Sequence, residues 1–235
     1  MAASNKISKK TLLDSKRKLI TKYDPKSPIS EQYRTIRTNI LFSSVDEEIR
    51  TLMVTSSGPG EGKSTTAANL AVVFAQQGKT VLLVDADLRK PTVHYTFNTL
   101  NTSGLTSVLT NQMPLMEAVL TNDEKNLFIL PSGPIPPNPS ELLSSRAMQH
   151  FMEKGLEEFD IILFDTPPVL AVTDAQILAN ICQGSVLVVS SGTTEKDSLV
   201  KTKELLSASN GKILGVVLNN KKQDKNSSYY YYGTK

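Results

Sequence analysis

The sequence is short of the residues and runs that several common kinds of site require. It has one cysteine, Cys182, in 235 residues, which excludes an intrachain disulfide and a cysteine-based metal cluster and favours a reducing compartment. No apolar run approaches the roughly 18 residues that cross a bilayer, and no signal-peptide core follows the basic N-terminus. The formal net charge of only +3 gives no reason to expect nucleic acid as a partner.

What the chain does have is a series of short, continuous apolar runs, which are typical of strands buried on both faces of a parallel sheet. The runs are Leu52–Val54, Val81–Val84, Leu127–Leu130, Ile161–Phe164, Val186–Val189 and Ile213–Leu218. Helices are predicted between them, at Lys63–Gln77, about Ser140–Glu158, Asp174–Ile181 and Glu195–Ser209. The alternation predicts an α/β fold, a doubly wound and mostly parallel sheet with helices on both faces.

Both ends of the chain depart from this pattern. Residues 1–27 are polar and lysine-rich and are predicted to form a basic N-terminal arm, before a domain at residues 28–220 that begins with a helix at Ser27-Pro28. Residues 221–235 are predicted to be a flexible, tyrosine-rich tail. The lysines at the two ends are either solvated or face an anionic membrane or an acidic partner.

A glycine-rich loop joins the first predicted strand to the first long helix. Residues Ser57–Ser64 fit the template G-x-x-x-x-G-K-[ST], except that Ser57 replaces the first glycine. Inward-pointing backbone N–H groups and the N-terminus of the following helix would hold phosphate oxygens. Lys63 would reach the β- and γ-phosphates and Ser64 would ligate Mg²⁺. The residues predicted to bind ATP here are Gly58, Pro59, Gly60, Glu61, Gly62, Lys63, Ser64 and Thr65.

Three aspartates follow other predicted strands: Asp85 and Asp87 follow one strand, and Asp165 follows another. Ligands of open α/β sheets bind beyond the carboxyl ends of the strands, so we expect these acids beside the phosphate loop, where a metal–triphosphate needs carboxylates. If the strand continues to Asp87, the first two acids point to the same side. If a loop begins at Ala86, they diverge. The alternative for any one of them is that it caps a following helix.

Together these motifs resemble those of the bacterial tyrosine kinases of capsule and exopolysaccharide synthesis, which are related to the deviant-Walker P-loop ATPases. The likeness covers about residues 28–235. Ser57–Ser64 matches the family's Walker A motif, Val81–Arg89 its second acidic motif, and Ile161–Asp165 its Walker B motif. The segment Gly133–Pro139 also resembles a loop of the family.

Two further features carry the resemblance. Residues 31–37 fit the family's E-x-x-R-x-x-R interface motif through Glu31, Arg34 and Arg37. The consecutive Tyr229, Tyr230, Tyr231 and Tyr232 resemble its autophosphorylation site.

The resemblance implies a protein tyrosine kinase that uses ATP and Mg²⁺. Lys63, Asp85 and Asp87 would be catalytic: Lys63 would hold the terminal phosphates, and Asp85 would orient or deprotonate the tyrosine. Ser64, Asp87 and Asp165 would hold the metal or its waters. Asn219 resembles the position that contacts adenine. Because a free aspartate is a weak base toward a phenol of pKa about 10, we expect Asp85 to orient the tyrosine and to take its proton late.

The resemblance also implies an assembly. Transfer between neighbouring chains, in a ring closed by head-to-tail contacts of Glu31 with arginines, would bring the tail to a catalytic crevice. The alternative is that Glu31 and Arg34 pair within their own helix. Each phosphorylated tyrosine would add roughly −1.5 to −2 charges and loosen such a ring.

The implied partners are a membrane-spanning modulator that activates the kinase, protein tyrosine substrates and a phosphotyrosine phosphatase. The implied location is cytoplasmic, at the inner face of the cell membrane.

Other kinds of protein fit less well. The H-R-D and D-F-G motifs of eukaryotic kinases are not found in the sequence. The alternative function is a non-kinase ATPase switch of the chromosome-partitioning or septum-positioning type, which shares the fold. Those ATPases resemble K-G-G-x-G-K-[ST], and Gly58 stands where that first lysine would be. The tyrosine tail favours the kinase.

Overall fold

The computed structural model describes residues 19–43 and 48–222, in which one sheet lies between two layers of helices. The strands are β1 (Thr51–Ser56), β2 (Val81–Asp85), β3 (Leu120–Thr121), β4 (Leu127–Leu130), β5 (Ile161–Asp165), β6 (Gly184–Ser190) and β7 (Ile213–Asn219). The helices are α1 (Ile20–Tyr23), α2 (Pro28–Phe42), α3 (Lys63–Gln76), α4 (Val93–Phe97), α5 (Leu105–Leu109), α6 (Leu115–Ala118), α7 (Pro139–Leu143), α8 (Arg146–Glu158), α9 (Asp174–Ile181) and α10 (Lys196–Ala208).

The strands lie in the order β3-β4-β2-β5-β1-β6-β7. All neighbours are parallel except β3 and β4, which are antiparallel. Every residue of β1, β2 and β5 is buried, which is why their sequences read as continuous apolar runs. The predicted doubly wound, mostly parallel sheet is therefore confirmed.

The two faces of the sheet carry separate hydrophobic layers. On one face α2 and α3 contribute Ile40, Leu70 and Phe74. On the other, α8 and α9 contribute Phe151 and Leu178. Cys182, just after α9, lies in this second layer, and burial raises the pKa of its thiol. No helix within residues 19–43 and 48–222 is both long and apolar enough to cross a bilayer.

Several short elements escape prediction from the sequence. Helices α4, α5 and α6 and strand β3 each have five residues or fewer, too few for a helical or alternating pattern to emerge. The single helix predicted at about Ser140–Glu158 is in fact two, α7 and α8. The break occurs because the Ser145 hydroxyl accepts the Met148 N–H and caps a new helix.

The packed part of the chain begins before the predicted boundary at residue 28. Leu19 is buried, and Thr21 binds α3 through Asn69, whose Oδ1 accepts from the backbone N–H (3.1 Å) and the hydroxyl (2.8 Å) of Thr21. The predicted start of α2 is confirmed, since Ser27 is its N-cap and Pro28 its first residue.

Candidate active site

The strand order brings three of the predicted motifs to one edge of the sheet. Strand β5 lies between β1 and β2, and Asp165 is in register with Val54 on one side and with Asp85 on the other. The phosphate loop that leaves β1, the end of β5 and the acidic loop that leaves β2 are therefore neighbours, as expected for a ligand site beyond the carboxyl ends of parallel strands.

Lys63 connects these elements. Its Nζ donates to Asp87 Oδ2 at 3.0 Å and to Ser64 Oγ at 3.2 Å, and lies 3.6 Å from Asp165 Oδ1. Burial alone would lower the pKa of Lys63, but the charges of Asp165 and Asp87 outweigh it and raise that pKa. The lysine is therefore a fixed cation at the end of the phosphate loop, surrounded by carboxylates.

The two acids after β2 diverge, as predicted for a loop that begins at Ala86. Strand β2 ends at Asp85. Asp87 turns toward Lys63, and its Oδ1 accepts the N–H of Lys90 at 3.0 Å. The Oδ2 of Asp85 instead accepts the N–H groups of Thr92 and Val93, both at 2.9 Å. These two N–H groups lie at the start of α4, so the side chain of Asp85 caps that helix. This is the alternative role that the sequence also allows for an aspartate after a strand.

Burial changes the acid–base properties of Asp85. The side chain is fully buried, and burial, together with the charge of Asp165, raises its pKa to about 8. Burial also raises the pKa of Asp165, against the opposing charge of Lys63. A free aspartate is a weak base toward a phenol. In the folded chain the carboxyl of Asp85 is a considerably stronger base, with a pKa closer to that of a phenol.

The carboxylate of Glu61 stabilises the conformation of the phosphate loop. Its Oε2 accepts the backbone N–H of Ser57 at 3.0 Å, and its Oε1 accepts the hydroxyl of Thr194 at 2.8 Å. Thr194 lies in the loop after β6, and its Oγ1 also accepts the N–H of Ser190. Thr194 thus supports the site through a hydrogen bond to a residue 133 positions earlier in the chain. No sequence pattern predicts this contact.

Asn219, at the end of β7, lies against the same loop. Its Nδ2 donates to the Glu61 carbonyl at 2.9 Å. Gly62 has φ +98°, and a Cβ at this position would lie 2.1 Å from Asn219 Nδ2, so only glycine fits there. Asn219 is therefore beside the phosphate-binding segment, and its contact with adenine stays a prediction.

The carboxylates fit a magnesium ion bound together with a nucleotide. Among residues 19–43 and 48–222, no side chain or backbone group donates a hydrogen bond to the buried oxygens of Asp165 or to the buried Oδ1 of Asp85, and Mg²⁺ favours such oxygen ligands. Within the described residues, no three acidic, histidine or cysteine side chains converge as a metal cluster. The ion would therefore depend on phosphate oxygens and on the Ser64 hydroxyl as well.

The predicted interface motif on α2 makes contacts within its own chain. Arg34 pairs with Glu31, as in the intrahelical alternative, and its Nη2 donates to the Pro25 carbonyl at 2.7 Å. Arg37 Nη1 donates to the Val73 carbonyl, in the last turn of α3, at 2.8 Å. The interface role of these residues stays a prediction, and the tyrosines at 229–232 lie outside the described residues.

The Arg37 contact predicts a stability difference within the motif. We expect Arg37→Gln to lower the free energy of unfolding by about 1–2 kcal/mol, because a cation at a helix C-terminus loses its carbonyl partner. Arg34→Gln, which removes exposed contacts with Glu31 and with the Pro25 carbonyl, should cost less than about 0.5 kcal/mol. Urea denaturation at a protein concentration low enough to keep the chain monomeric measures both. Equal losses would contradict an anchoring role for Arg37.

Comparison with known proteins agrees with this geometry. A protein-family profile described as an AAA domain matches residues 49–199. Tyrosine-protein kinase YwqD of Bacillus subtilis (strain 168) is 59% identical over 219 residues, which cover 93% of this chain and 92% of the relative.

Solved structures give the same result. The chimerical protein CapA2B2 superposes with a TM-score of 0.85 and 46% identity, covering 88% of this chain and 91% of the other. The kinase domain of the Escherichia coli tyrosine kinase ETK superposes with a TM-score of 0.84 and 30% identity, covering 92% and 84%. The chain therefore belongs to the bacterial tyrosine kinases of capsule and exopolysaccharide synthesis, built on the nucleotide-binding fold of the P-loop ATPases.

Proposed function

We propose that this kinase transfers the γ-phosphoryl group of ATP, bound with Mg²⁺, to the Tyr229–Tyr232 cluster of a neighbouring copy. The observation that carries the proposal is the position of Lys63, whose ammonium group lies within 3.6 Å of carboxylates from two different strand ends. Phosphoryl transfer asks mainly for positioning and neutralisation of charge, and this arrangement supplies both at the end of a phosphate-binding loop.

Each residue then has a role. Lys63 would bind the β- and γ-phosphates of ATP, and the backbone N–H groups of the loop would bind the remaining phosphate oxygens. Ser64, Asp87 and Asp165 would hold Mg²⁺, which neutralises charge on the β- and γ-phosphates when bound. The phenol oxygen forms a bond to the γ-phosphorus as the bond to the β-phosphate bridging oxygen breaks.

Asp85 is the acceptor for the phenolic proton. The N–H groups of Thr92 and Val93 occupy its Oδ2, so Oδ1 is the oxygen that remains to receive a proton. A pKa of about 8 is near that of a base suited to neutral conditions. Beside a bound cation this carboxyl would ionise more readily, so that it is able to act once the nucleotide site is filled.

The direction in which the site faces supports the inference that the acceptor comes from another chain. The tail follows β7, which lies four strands from β2 in the sheet, roughly 19 Å at the usual spacing of strands, a distance that the residues from Asn219 to Tyr229 could also span within one chain. Lys63 faces the β5 and β2 side of the site, away from the strand that leads into its own tail. A head-to-tail ring, with Glu31 and Arg34 exchanging partners between chains, would present each tail to the next site.

Regulation follows from the same chemistry. We expect a membrane-spanning modulator to recruit and activate the kinase at the inner face of the cell membrane, and a phosphotyrosine phosphatase to restore the tail. Added phosphates would repel one another and disperse the ring, and cycling between the two states would regulate polysaccharide synthesis.

Mixing two variants tests transfer between chains. The donor carries phenylalanine at positions 229–232, and the acceptor is Lys63→Met with an intact tail and a size tag. With labelled ATP and Mg²⁺, with and without a candidate modulator, phosphotyrosine should appear on the tagged chain. Label on serine alone, or label that appears only when one chain carries both Lys63 and the tail, would contradict the proposal. Hydrolysis with no labelled protein, even with modulator, would favour the ATPase-switch alternative.

A further inference from the structure

The segment that follows β4, residues 133–139 (here the proline loop), is held firmly at its first residue. The backbone N–H of Gly133 donates to Asn101 Oδ1 at 2.8 Å, and Asn101 Nδ2 donates to Ser132 Oγ at 3.1 Å. The backbone at Gly104 is in close contact with the backbone at Pro131, since a Cβ on Gly104 would lie 2.0 Å from the Pro131 carbonyl oxygen. The segment that contains Asn101 and the start of the proline loop are therefore a single packed unit.

The far end of the proline loop is held just as firmly. Ser140 donates to Asp174 Oδ1 at 2.6 Å. Arg89 binds the same carboxylate with two bonds, Nε to Oδ2 at 2.9 Å and Nη2 to Oδ1 at 3.0 Å. Asp174 is fully buried, and a planar two-bond pair of this kind fixes orientation. Because Arg89 is two residues after Asp87, the proline loop is anchored to the acidic loop of the active site.

The sheet places this anchored loop on the acceptor side of the site. Strands β2 and β4 are parallel neighbours, with Val84 opposite Leu130, so the acidic loop and the proline loop leave the sheet side by side. The phosphate loop leaves β1, and Lys63 extends from it toward Asp165 and Asp87. Since the attacking and leaving oxygens are roughly in line, an acceptor would approach from beyond β2, where the proline loop lies.

Two large apolar side chains are exposed on these anchored segments. Ile135 in the proline loop is 63% exposed, and Leu100, next to Asn101, is 75% exposed. The loop also contains four prolines, which restrict its backbone. A surface that is already rigid loses little conformational entropy when a partner binds.

We propose that Leu100 and Ile135 form the docking surface for the acceptor, and that its occupant is the tyrosine-rich C-terminal segment of a second copy. The inference rests on the proposed function and names the residues that select its substrate. Consecutive tyrosines provide aromatic surface that matches two exposed aliphatic side chains. That segment follows β7, at the opposite end of the strand order from β4 and its neighbour β3, and the proposed function takes it from a second chain.

The test measures how the donor uses a separate acceptor. Donors that carry phenylalanine at positions 229–232, with Ile135→Ser, Leu100→Ser or both, are assayed against increasing concentrations of the Lys63→Met acceptor. We expect the KM for the acceptor to rise about tenfold in the double variant, from the loss of apolar contact. The affinity for ATP with Mg²⁺ and the hydrolysis of ATP without acceptor should stay within about twofold of the parent donor. A donor with Ile135→Leu should keep the parent KM for the acceptor, because leucine retains the apolar contact.

A matched control is Val200→Ser, which removes an aliphatic side chain 55% exposed on α10 and should leave every parameter unchanged. An unchanged KM in the serine variants would overturn the proposal, and so would an equal loss of ATP affinity. If the double variant is unstable, the single Ile135→Ser variant decides by the same criteria. A parent donor that labels no tyrosine would instead defeat the proposed function itself, so that the two failures are distinguishable.

Discussion

Lys63→Met should abolish tyrosine phosphorylation, with a loss on the order of 1,000-fold in rate. The variant loses the Lys63 ammonium group, which joins the phosphate loop to the carboxylates of Asp87 and Asp165. Methionine has a similar length and no charge, so that the terminal phosphates would face the carboxylates without a compensating ammonium group. The initial rate of labelled phosphotyrosine formation at saturating ATP measures the effect.

A surface lysine provides the control for Lys63→Met. Lys79 pairs with Glu48 at 2.6 Å, and both side chains are exposed. Lys79→Met should therefore keep the parent rate, since exposed pairs contribute little. Circular dichroism should show that both variants are folded. If folded Lys63→Met kept more than about a tenth of the parent rate, the lysine would not be the phosphate-binding cation that the site requires.

Asp85→Asn should combine a large loss of activity with a gain in stability. Asparagine keeps an oxygen to accept the N–H groups of Thr92 and Val93, and its amide nitrogen replaces the buried Oδ1, which has no hydrogen-bond partner in the described part of the chain. It cannot accept the phenolic proton, so we expect phosphotransfer to fall by about 100-fold.

The gain in stability follows from the pKa of Asp85, which is raised from 3.8 to about 8 in the folded chain. Between these values the folded state holds a proton that the unfolded state releases. The contribution of Asp85 to stability therefore falls as pH rises from about 4 to about 8 and is constant above that. The asparagine in the variant does not titrate, and its neutral amide also relieves repulsion on Asp165 and Asp87, which share the charge of Lys63.

Urea denaturation at pH 5 and pH 8, without nucleotide and with a chelator, tests this prediction. At pH 8 the Asp85→Asn variant should be more stable than the parent by a few kcal/mol, and at pH 5 the difference should be smaller. Asp160→Asn, at the opposite edge of the sheet, should show no such gain, since Asp160 accepts the Thr80 N–H through an oxygen that asparagine retains. A parent and an Asp85→Asn variant with the same dependence on pH would contradict the assignment.

The parts of the site that local sequence encodes are those that could be predicted. A phosphate loop occupies consecutive residues, and parallel strands bring their ends to one edge, so Lys63, Asp85 and Asp165 were expected to be neighbours and are. The sequence alone does not predict whether Asp85 and Asp87 diverge, because their directions depend on where β2 ends. The pKa of Asp85 depends on complete burial, which no spacing of residues reveals.

The supporting contacts could not be predicted, because they join residues far apart in the chain. Thr194 reaches Glu61 over 133 residues, and Arg89 reaches Asp174 over 85. Such pairs depend on how loops from different strands meet, and a single sequence does not contain that information. The same is true of Arg37, whose partner on α3 is a backbone carbonyl and so leaves no trace in residue identity.

The bond between Glu61 and the N–H of Ser57 has a consequence for how such chains are recognised. Ser57 does not have a positive φ, so its backbone conformation does not require glycine, and its N–H is already bound to a carboxylate. In this chain a glycine at the first position of the motif is thus dispensable, since Glu61, four residues later, holds the N–H of that position. Search patterns that insist on that glycine would discard ATPases and kinases assembled in this way.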